Sequence, residues 1–387
     1  MNNRRLLLQI IMIFANIVLA FFAGFMVHGV LNPPELQFPV LAEVYDLVQT
    51  HAYDPIPENP DLEYGMIHGM LAEFNDPHTR FVEPPQHEID TDALQGAFGG
   101  IGVRLVRDEN NAIRLFPFPE SPAREAGISD ADRLLQIDGT DIPPEMPENE
   151  ITALIRGPEG ETVRILVMRG EEQFEFDIVR VNIPIPSVTW YLAPQEPRLG
   201  VVEINLVAAS TPDEVQRAFE DLQNQGAAKF VLDLRDNGGG LLEPGVDVAR
   251  LFLENGIIME QQYRGEGMQK YEVTGKGILS LYPMLVFVNQ GTASAAEIIA
   301  GALQANQRAQ LLGSPTFGKD SVQFIFDLQD GSSLHITAAR WWVPGTAFPT
   351  DQGGLIPDIL LDPNDPGANP AIDTAIELLF SGEVNSH

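Results

Sequence analysis

Ser294 occupies a position in the sequence that suits a nucleophile. It follows the short apolar run Met284–Asn289, which is typical of a buried strand, and a Gln-Gly-Thr turn. Apolar residues then recur with helical spacing, at Ala295, Ile298, Ile299, Ala302 and Leu303. A hydroxyl at the start of a helix lies beside unpaired N–H groups, which can hold an oxyanion, and beside the positive end of the helix dipole. The same position also fits a simple helix N-cap, formed by Ser294 or Thr292.

Lys319 is the second residue with the chemistry of a catalyst. The chain has 23 basic residues, but only four of them are lysines: Lys229, Lys270, Lys276 and Lys319. Burial can leave a lysine neutral and basic, whereas an arginine side chain stays charged. The scarcity of lysine therefore indicates that Lys319 serves a purpose that arginine does not.

Two segments around these residues resemble the motifs of the C-terminal processing peptidases, or tail-specific proteases, which use a serine–lysine dyad. The segment Thr292–Glu297 is similar to the family's nucleophile motif, and Thr316–Gln323 is similar to its base motif, with the lysine 25 residues after the serine. Some members have an acidic residue eleven positions after the serine; here that position is Ala305, so we expect no acidic third member. The resemblance implies the roles of nucleophile for Ser294, general base for Lys319 and lysine-orienting residue for Gln323.

A run of glycines lies in the segment Arg235–Leu242, after the strand-like Phe230–Leu234 and before a helical pattern. Phosphate-binding loops also place glycines between a strand and a helix, but the Gly-Lys-Ser/Thr ending of such loops is absent. The family resemblance implies instead that this loop donates a backbone N–H to the oxyanion, together with the amide after the serine. The implied donors are Gly238 or Gly239, and Ala295; the sequence does not choose between the glycines.

Residues 92–182 resemble a PDZ domain. The segment Phe98–Val103 is similar to the carboxylate-binding loop of that domain, and Asp132–Gly139 and Ile155–Gly160 are similar to its later segments, in the same order. Glycines permit positive φ and close backbone approach, so successive N–H groups can converge on a terminal carboxylate while the peptide adds as a strand. We therefore expect peptide contacts at Gly99, Gly100, Ile101 and Gly102.

Composition excludes several classes of partner. The formal net charge of −32 argues against nucleic acid, because no basic cluster is available to neutralise phosphates. The chain has no cysteine, which excludes disulfides, thiol catalysis and cysteine metal sites. His78 and His87 match no standard metal-site spacing, so surface or loop roles are expected for them. We predict no metal and no other cofactor.

The N-terminus carries a long apolar segment. Residues 6–27 form an uncharged run of 22 residues after Arg4 and Arg5, long enough to cross a hydrocarbon core of about 30 Å as a helix. A cleaved signal peptide is the alternative, with Ala20 or the Ala23–Gly24 pair near the cleavage site, but its apolar region is usually shorter. Positive charge at the short end predicts a single-pass anchor in the cell membrane, with the catalytic body on the extracytoplasmic side.

Elsewhere the patterns predict an α/β protein. Two short helices are expected before residue 90, and several prolines between Asn182 and Arg198 predict an extended connector. From Leu199 onward, strands and helices alternate, with Thr211 as N-cap of the first core helix and Glu214 as its capping-box glutamate. Asp330–Gly331 predicts a hairpin after the lysine, and a last short helix is expected from residue 370.

The resemblance covers nearly all of the chain after residue 30 and implies a layered α/β core of the crotonase/ClpP-like type. We predict five parts: an anchor or signal segment at 1–30, a helical region at 31–91, the PDZ domain at 92–182, the protease core at 183–363, and a C-terminal helix and tail at 364–387.

Together these features predict a membrane-anchored serine endopeptidase that cuts protein substrates near exposed C-termini. A catalytically silent PDZ scaffold is one alternative, but the presence of Ser294, Lys319 and Gln323 together argues against it. An acyl-CoA enzyme on a crotonase-like core is another, although it needs cationic contacts to nucleotide phosphates. A histidine-based triad would require His335, within the predicted hairpin strand. The sequence leaves the substrate open, and a homo-oligomer is compatible with it.

Overall fold

The computed structural model describes residues 38–57, 59–346, 354–361 and 370–381. The chain divides into two compact units, Met1–Ile67 and His68–His387. The predicted membrane segment at residues 6–27 lies outside the described residues and stays a prediction. Within the described ranges, no helix combines the length and the apolar character needed to span a membrane.

The described residues form nine helices and 19 strands. The helices are α1 (Pro39–His51), α2 (Asp61–Ala72), α3 (Pro84–Gln95), α4 (Pro122–Ala126), α5 (Glu148–Ile155), α6 (Thr211–Asn224), α7 (Leu242–Phe252), α8 (Ala295–Ala305) and α9 (Pro370–Phe380). The strands are β1 (Arg80–Val82), β2 (Ala97–Gly100), β3 (Val103–Arg107), β4 (Ile113–Pro117), β5 (Asp132–Ile137), β6 (Thr140–Asp141), β7 (Thr162–Arg169), β8 (Glu172–Val179), β9 (Val181–Pro184), β10 (Val188–Ala193), β11 (Glu196–Ile204), β12 (Lys229–Asp233), β13 (Ile257–Tyr263), β14 (Met268–Glu272), β15 (Met284–Val288), β16 (Gln310–Gly313), β17 (Ser321–Asp327), β18 (Ser333–Trp342) and β19 (Ile359–Leu360).

The C-terminal half of the chain is built on a six-stranded sheet in the order β10-β11-β12-β15-β16-β19. The pairs from β11 to β19 are parallel, and β10 adds an antiparallel edge. Strand β15 is buried along its whole length, as expected for a parallel strand covered on both faces. The predicted alternation of strands and helices in this region is confirmed.

Both faces of this sheet are covered by helices. Alternate strand residues point to one face, where they pack with α6, α7 and α8 in the largest apolar cluster. The intervening residues, among them Val231, Leu285 and Phe287, pack with α9 on the opposite face. Burying a side chain such as Phe287 contributes about 1.5–3 kcal/mol to folding. The layered α/β class predicted from the sequence is therefore confirmed.

A second, five-stranded sheet joins distant parts of the chain. Strands β17 and β18 form the hairpin predicted around Asp330–Gly331. The other side of β18 pairs with β1 near its start and with β13 near its end. Strand β1 precedes the PDZ-like region in sequence, so residues from both sides of that region meet in one sheet.

Residues around 97–184 form the domain that resembled a PDZ domain. Its main sheet has the order β3-β4-β5-β7-β8, with β6 beside β5, and β2 pairs separately with β9. A compact apolar cluster lies beneath the sheet, where Ile151 and Ile155 of α5 pack against strand residues such as Leu115 and Ile165. This cluster shares no buried residue with the core around α6, α7 and α8.

The predicted helices before residue 90 are α1 and α2, but a third helix was missed. Helix α3 begins with two prolines, which suit the first turn because its N–H groups have no helical partner. Gly96 ends the helix in the left-handed conformation (φ = 78°). The polar face of α3 hid its helical pattern, and the helix crosses the boundary predicted between residues 91 and 92.

Two local predictions near the start of the core need correction. The segment at 182–198 is extended and not helical, as predicted, but it is more than a connector. The expected connector at 182–198 contains β10, which pairs with β11 over Val188–Ala193. Thr211 is the first residue of α6, with Ser210 as N-cap, and its hydroxyl accepts a hydrogen bond from the Ala208 amide at 2.8 Å. The Glu214 carboxylate accepts the amides of Ser187 and Val188, because the buried start of β10 has donors that need an acceptor.

Candidate active site

Ser294 lies at a sharp turn between β15 and α8. Its φ of 54° and ψ of −120° are unusual for a residue with a side chain, so surrounding contacts must hold the turn. The buried Thr292 hydroxyl donates to the Leu234 carbonyl at 2.8 Å, and the Ala293 amide donates to the Asn237 carbonyl at 2.9 Å. The serine loop is thereby fixed to the end of β12 and to the glycine run that follows it.

A buried carboxylate joins the serine loop to the lysine segment. Glu297 is fully buried, and its Oε2 accepts the backbone amides of Ser294 at 2.9 Å and Lys319 at 3.0 Å. Its Oε1 accepts the Thr316 hydroxyl at 2.5 Å and the Gly318 amide at 2.7 Å. Burial raises the pKa of Glu297, and these four hydrogen bonds oppose the rise. The Glu297 carboxylate thus binds the backbone amides of both predicted catalytic residues.

Glu297 was not singled out from the sequence. Its position three residues after Ser294 matches the glutamate of a capping box, and that signal would have identified its bond to the Ser294 amide. Its bonds to residues 316–319 are not visible in any local pattern.

The Lys319 amine is the first member of a short series of hydrogen-bonded polar groups. Its Nζ donates to the Gln323 Oε1 at 3.0 Å, and the Gln323 side-chain N–H donates to the His78 carbonyl. Gly318 (φ = 90°) turns the chain just before the lysine, and β17 begins two residues after it. The structure therefore brings Gln323 to the lysine amine, and it adds His78, which the sequence had assigned to a surface or loop role.

The surroundings of Lys319 favour its neutral form. Burial lowers the pKa of the lysine most, and the Arg80 guanidinium lowers it further. The carboxylates of Asp76 and Glu297 oppose this shift. The net direction is downward, so a larger fraction of the amine is available as a base than in a solvated lysine.

Ser294 and Lys319 line the same cavity, which has a volume of about 250 Å³. Its other polar side chains come from Arg80, Ser321, Gln323 and His335. Its apolar wall is formed mainly by Leu241, Leu242, Ile298, Val322, Ile325 and Trp341. The cavity therefore combines a hydroxyl, a base and an apolar surface.

The glycine loop lies directly beside Ser294. A Cβ added to Gly239 would lie 2.7 Å from the Ser294 Cβ, so only glycine fits there. The Gly239 amide donates to the Asn237 side chain at 2.8 Å. Within the described residues, no hydrogen bond takes up the amides of Gly238 or Ala295, and both residues line the cavity.

Asn237 is a further residue that the sequence did not single out. It is fully buried, its side-chain N–H donates to the Ile204 carbonyl at 2.7 Å, and its side-chain oxygen accepts the Gly239 amide. With its carbonyl bonded to Ala293, it fixes the glycine loop against the serine loop.

His335 also faces the cavity from β18. Its Nε2 lies 3.2 Å from the Ser333 hydroxyl, and burial lowers its pKa. No hydrogen bond joins His335 to Ser294 among the described residues. In the part of the chain that the structure describes, His335 also lacks the link through Glu297 that ties the Lys319 backbone to Ser294.

The sequence as a whole matches known peptidases. A model of peptidase family S41 matches residues 198–361, and a PDZ domain model matches residues 119–169. The chain is 35% identical over 310 residues to the carboxyl-terminal-processing protease of Synechocystis sp., covering 79% of this chain and 72% of that protein. The chain belongs to the carboxyl-terminal-processing protease family. It is a serine-type peptidase of family S41 with a PDZ domain.

Other members of the family are similar over comparable lengths. The carboxyl-terminal-processing protease of Picosynechococcus sp. is 35% identical over 335 residues, covering 84% of this chain and 79% of the relative. Among solved structures, a photosystem II D1 C-terminal processing protease is 30% identical, with coverage of 87% of this chain and 90% of the other and a TM-score of 0.47.

The PDZ domain of this protease has its own groove. A cavity of about 500 Å³ lies between α5 and the segment that enters β3. Ile101 and Gly102 line this cavity, whereas Gly99 and Gly100 lie in β2, paired with β9, and are not among its lining residues. A Cβ on Gly99 would lie 1.9 Å from the Gly157 carbonyl oxygen, so Gly99 permits close packing of two backbones.

Proposed function

We propose that this protease cleaves peptide bonds with Ser294 as nucleophile and Lys319 as general base. The observation that carries the proposal is the shared carboxylate of Glu297, which accepts the backbone amides of Ser294 and Lys319 beside one cavity. The lysine amine is further fixed by Gln323. Acyl transfer requires a nucleophile and a base close to each other, and this shared support favours such an arrangement.

In the proposed reaction, the neutral Lys319 amine accepts the Ser294 proton while the serine oxygen bonds to the substrate carbonyl carbon. The oxygen that becomes negative is held by the amides of Ala295 and Gly238, which have no other partner among the described residues. The lysine ammonium then donates its proton to the leaving amine as the C–N bond breaks. Water, deprotonated by the same amine, releases the acyl group and restores Ser294.

Gly239 has a different proposed part in the oxyanion hole. Its own amide is bonded to Asn237, and its missing Cβ leaves room for the serine turn. A rotation of the Asn237 side chain would free this amide as a donor. In the described arrangement, Gly238 is the glycine that supports the proposal.

We further propose that substrates are proteins with exposed C-termini, captured by the PDZ groove. The relatives are named carboxyl-terminal-processing proteases, and the groove beside Ile101 and Gly102 has the size for a short extended peptide. We also propose that residues 6–27 anchor the chain in the cell membrane, with the catalytic body on the extracytoplasmic side. The length and the flanking arginines of this segment support the anchor.

Substitution of the base tests the dyad directly. Lys319→Arg preserves the positive charge but cannot deprotonate, so we expect it to lose at least about 10³-fold in kcat, as should Lys319→Ala. Ser294→Ala should be equally inactive but should still bind peptides with a free C-terminus. The matched control is His335→Ala, which should keep activity. An active Lys319→Arg protein combined with an inactive His335→Ala protein would require a histidine mechanism.

A further inference from the structure

Strand β17 forms an open edge of the five-stranded sheet. It pairs with β18 on one side, and among the described residues no strand pairs with its other side. Edges of this kind are a liability, because their unpaired N–H and C=O groups can bind another extended chain. What this edge binds is therefore a question about function.

The pairing of β17 with β18 shows which backbone groups of β17 face outward. The Leu328 amide donates to the Ser332 carbonyl at 2.8 Å, which makes Asp327 and its partner a non-hydrogen-bonded pair. The register is regular from Gln323 to Asp327, so alternation puts Ile325 and Gln323 in non-hydrogen-bonded pairs as well. The N–H and C=O groups of Gln323 and Ile325 consequently point away from β18, toward the open edge.

This edge lacks the usual protection against other chains. Phe324, Ile325 and Phe326 are consecutive and are 44%, 45% and 48% exposed. Natural edge strands usually carry lysine, proline or a bulge that interrupts pairing. The irregularity in β17 lies between Val322 and Gln323, before the exposed stretch, and β17 contains no lysine or proline. A run of exposed apolar residues on a free edge indicates a functional surface.

The open edge begins inside the catalytic cavity. The side chains of Gln323 and Ile325 line the same cavity as Ser294 and Lys319. An extended chain paired with this edge would therefore enter the cavity that Ser294 lines. Every second side chain of that chain would face the cavity, where apolar groups such as Trp341 form the wall.

We propose that the open edge of β17 is the surface that aligns the substrate for cleavage. The scissile segment adds to the sheet as an extra strand, with the outward backbone groups of Gln323 and Ile325 as its hydrogen-bonding partners. The occupant is an extended peptide that places an apolar side chain in the cavity, and this assignment rests on the proposed endopeptidase function. Pairing through the backbone admits many sequences, since it reads no side chain.

The first test changes the substrate and leaves the enzyme as it is. A set of peptides with one cleavage site is prepared in which single amides, apart from the scissile one, are replaced by N-methyl amides. Strand addition predicts that kcat/KM falls about fivefold to tenfold at alternate positions and little at those between, since each lost hydrogen bond has about that effect. Equal sensitivity at neighbouring positions, or none at any position, would overturn the proposal.

The second test changes the edge. Ile325→Pro removes one outward N–H and no bond to β18, and proline is tolerated where an edge N–H faces solvent. With active sites counted by titration with an activated ester, its peptide KM should rise about tenfold. Ile325→Val, which keeps this outward N–H, is the matched control and should change the peptide KM less than twofold. Ile325→Pro with an unchanged KM would contradict the proposal.

Two other outcomes separate the hypotheses. If the wild-type protein hydrolyses no peptide, the proposed function itself is wrong. If it hydrolyses all N-methyl peptides equally well, while Ile325→Pro reduces the mass measured by sedimentation, the edge joins copies of this chain and the alignment role is wrong.

Discussion

Lys319 is expected to set the pH dependence of the reaction. Burial and the Arg80 guanidinium lower the pKa of this lysine below its ordinary value of about 10.4. Below that lowered pKa the side chain is an ammonium, which cannot accept the Ser294 proton. We therefore expect kcat/KM to rise with pH through a single ionisation, measured with a peptide whose own groups do not titrate in the range.

The Arg80 charge can be tested within the same measurement. Arg80→Gln removes a positive charge near the lysine, so the ammonium form of Lys319 is less destabilised and the pKa of Lys319 rises. The ascending limb of the pH profile of kcat/KM should therefore move to higher pH. Arg80→Lys keeps the charge and should leave the limb in place. A limb that does not move in Arg80→Gln would mean that the Arg80 charge does not lower the pKa of Lys319.

Glu297 is expected to position the proposed catalytic residues, because its carboxylate accepts the backbone amides of Ser294 and Lys319. Glu297→Gln places a side-chain N–H where four donors need an acceptor, so Ser294 and Lys319 should separate slightly. A shift of about 1 Å can cost about 10²-fold in kcat. The matched control is Glu214→Gln, since Glu214 is another buried carboxylate that accepts two backbone amides. Both variants should lose stability in urea unfolding, but only Glu297→Gln should lose activity per folded molecule.

At the scale of elements, the glycine loop and the serine turn have to fit each other. Gly239→Ala adds a Cβ that would lie 2.7 Å from the Ser294 Cβ, at a φ of 101° that side chains disfavour. We expect at least about a 10²-fold loss of kcat, comparable to the loss of an oxyanion donor. Gly238→Ala meets no atom within 4 Å and keeps its amide, so it should fold normally and lose much less. Equal activity of the two variants would contradict the proposed fit.

The sequence predicted elements well where their patterns are local. The strand before Ser294, the helix after it and the hairpin at Asp330–Gly331 follow from periodicity and turn chemistry, and all three are present. Helix α3 was missed because its residues are largely polar. Strand β10 was missed because proline content says nothing about pairing with a later strand.

The candidate site was predictable only in part. Motif resemblance and the scarcity of lysine indicated Ser294 and Lys319, but Glu297 was missed because its partners lie about 20 residues further along the chain. His78 was missed for the same reason, since 245 residues separate it from Gln323. The spacing of residues along the chain describes neighbours in sequence. It cannot identify a distant backbone group that forms a hydrogen bond with a side chain.

At the scale of the whole molecule, the membrane segment and the catalytic body should be separable. Deletion of residues 1–30 should give a protein that remains in the supernatant after ultracentrifugation and still hydrolyses peptides, because the cavity is built from residues 80–341. It should hydrolyse peptides with a free C-terminus faster than the same peptides with a C-terminal amide, because the PDZ groove is proposed to bind the carboxylate. A folded but inactive truncated protein, or equal rates on both peptides, would contradict these roles.

The pairing of β1 with β18 has a consequence for how the enzyme can be divided and how it matures. The proposed site is discontinuous in sequence. Arg80, whose charge acts on Lys319, and the His78 carbonyl, which accepts the Gln323 side-chain N–H, both precede the PDZ domain. A fragment starting at residue 183 contains Ser294 and Lys319, but the start of β18 loses its pairing with β1 and the Gln323 side-chain N–H loses the His78 carbonyl. During synthesis, the surroundings of Lys319 can therefore be completed only after β18 has left the ribosome, so we expect the nascent chain to be inactive until then.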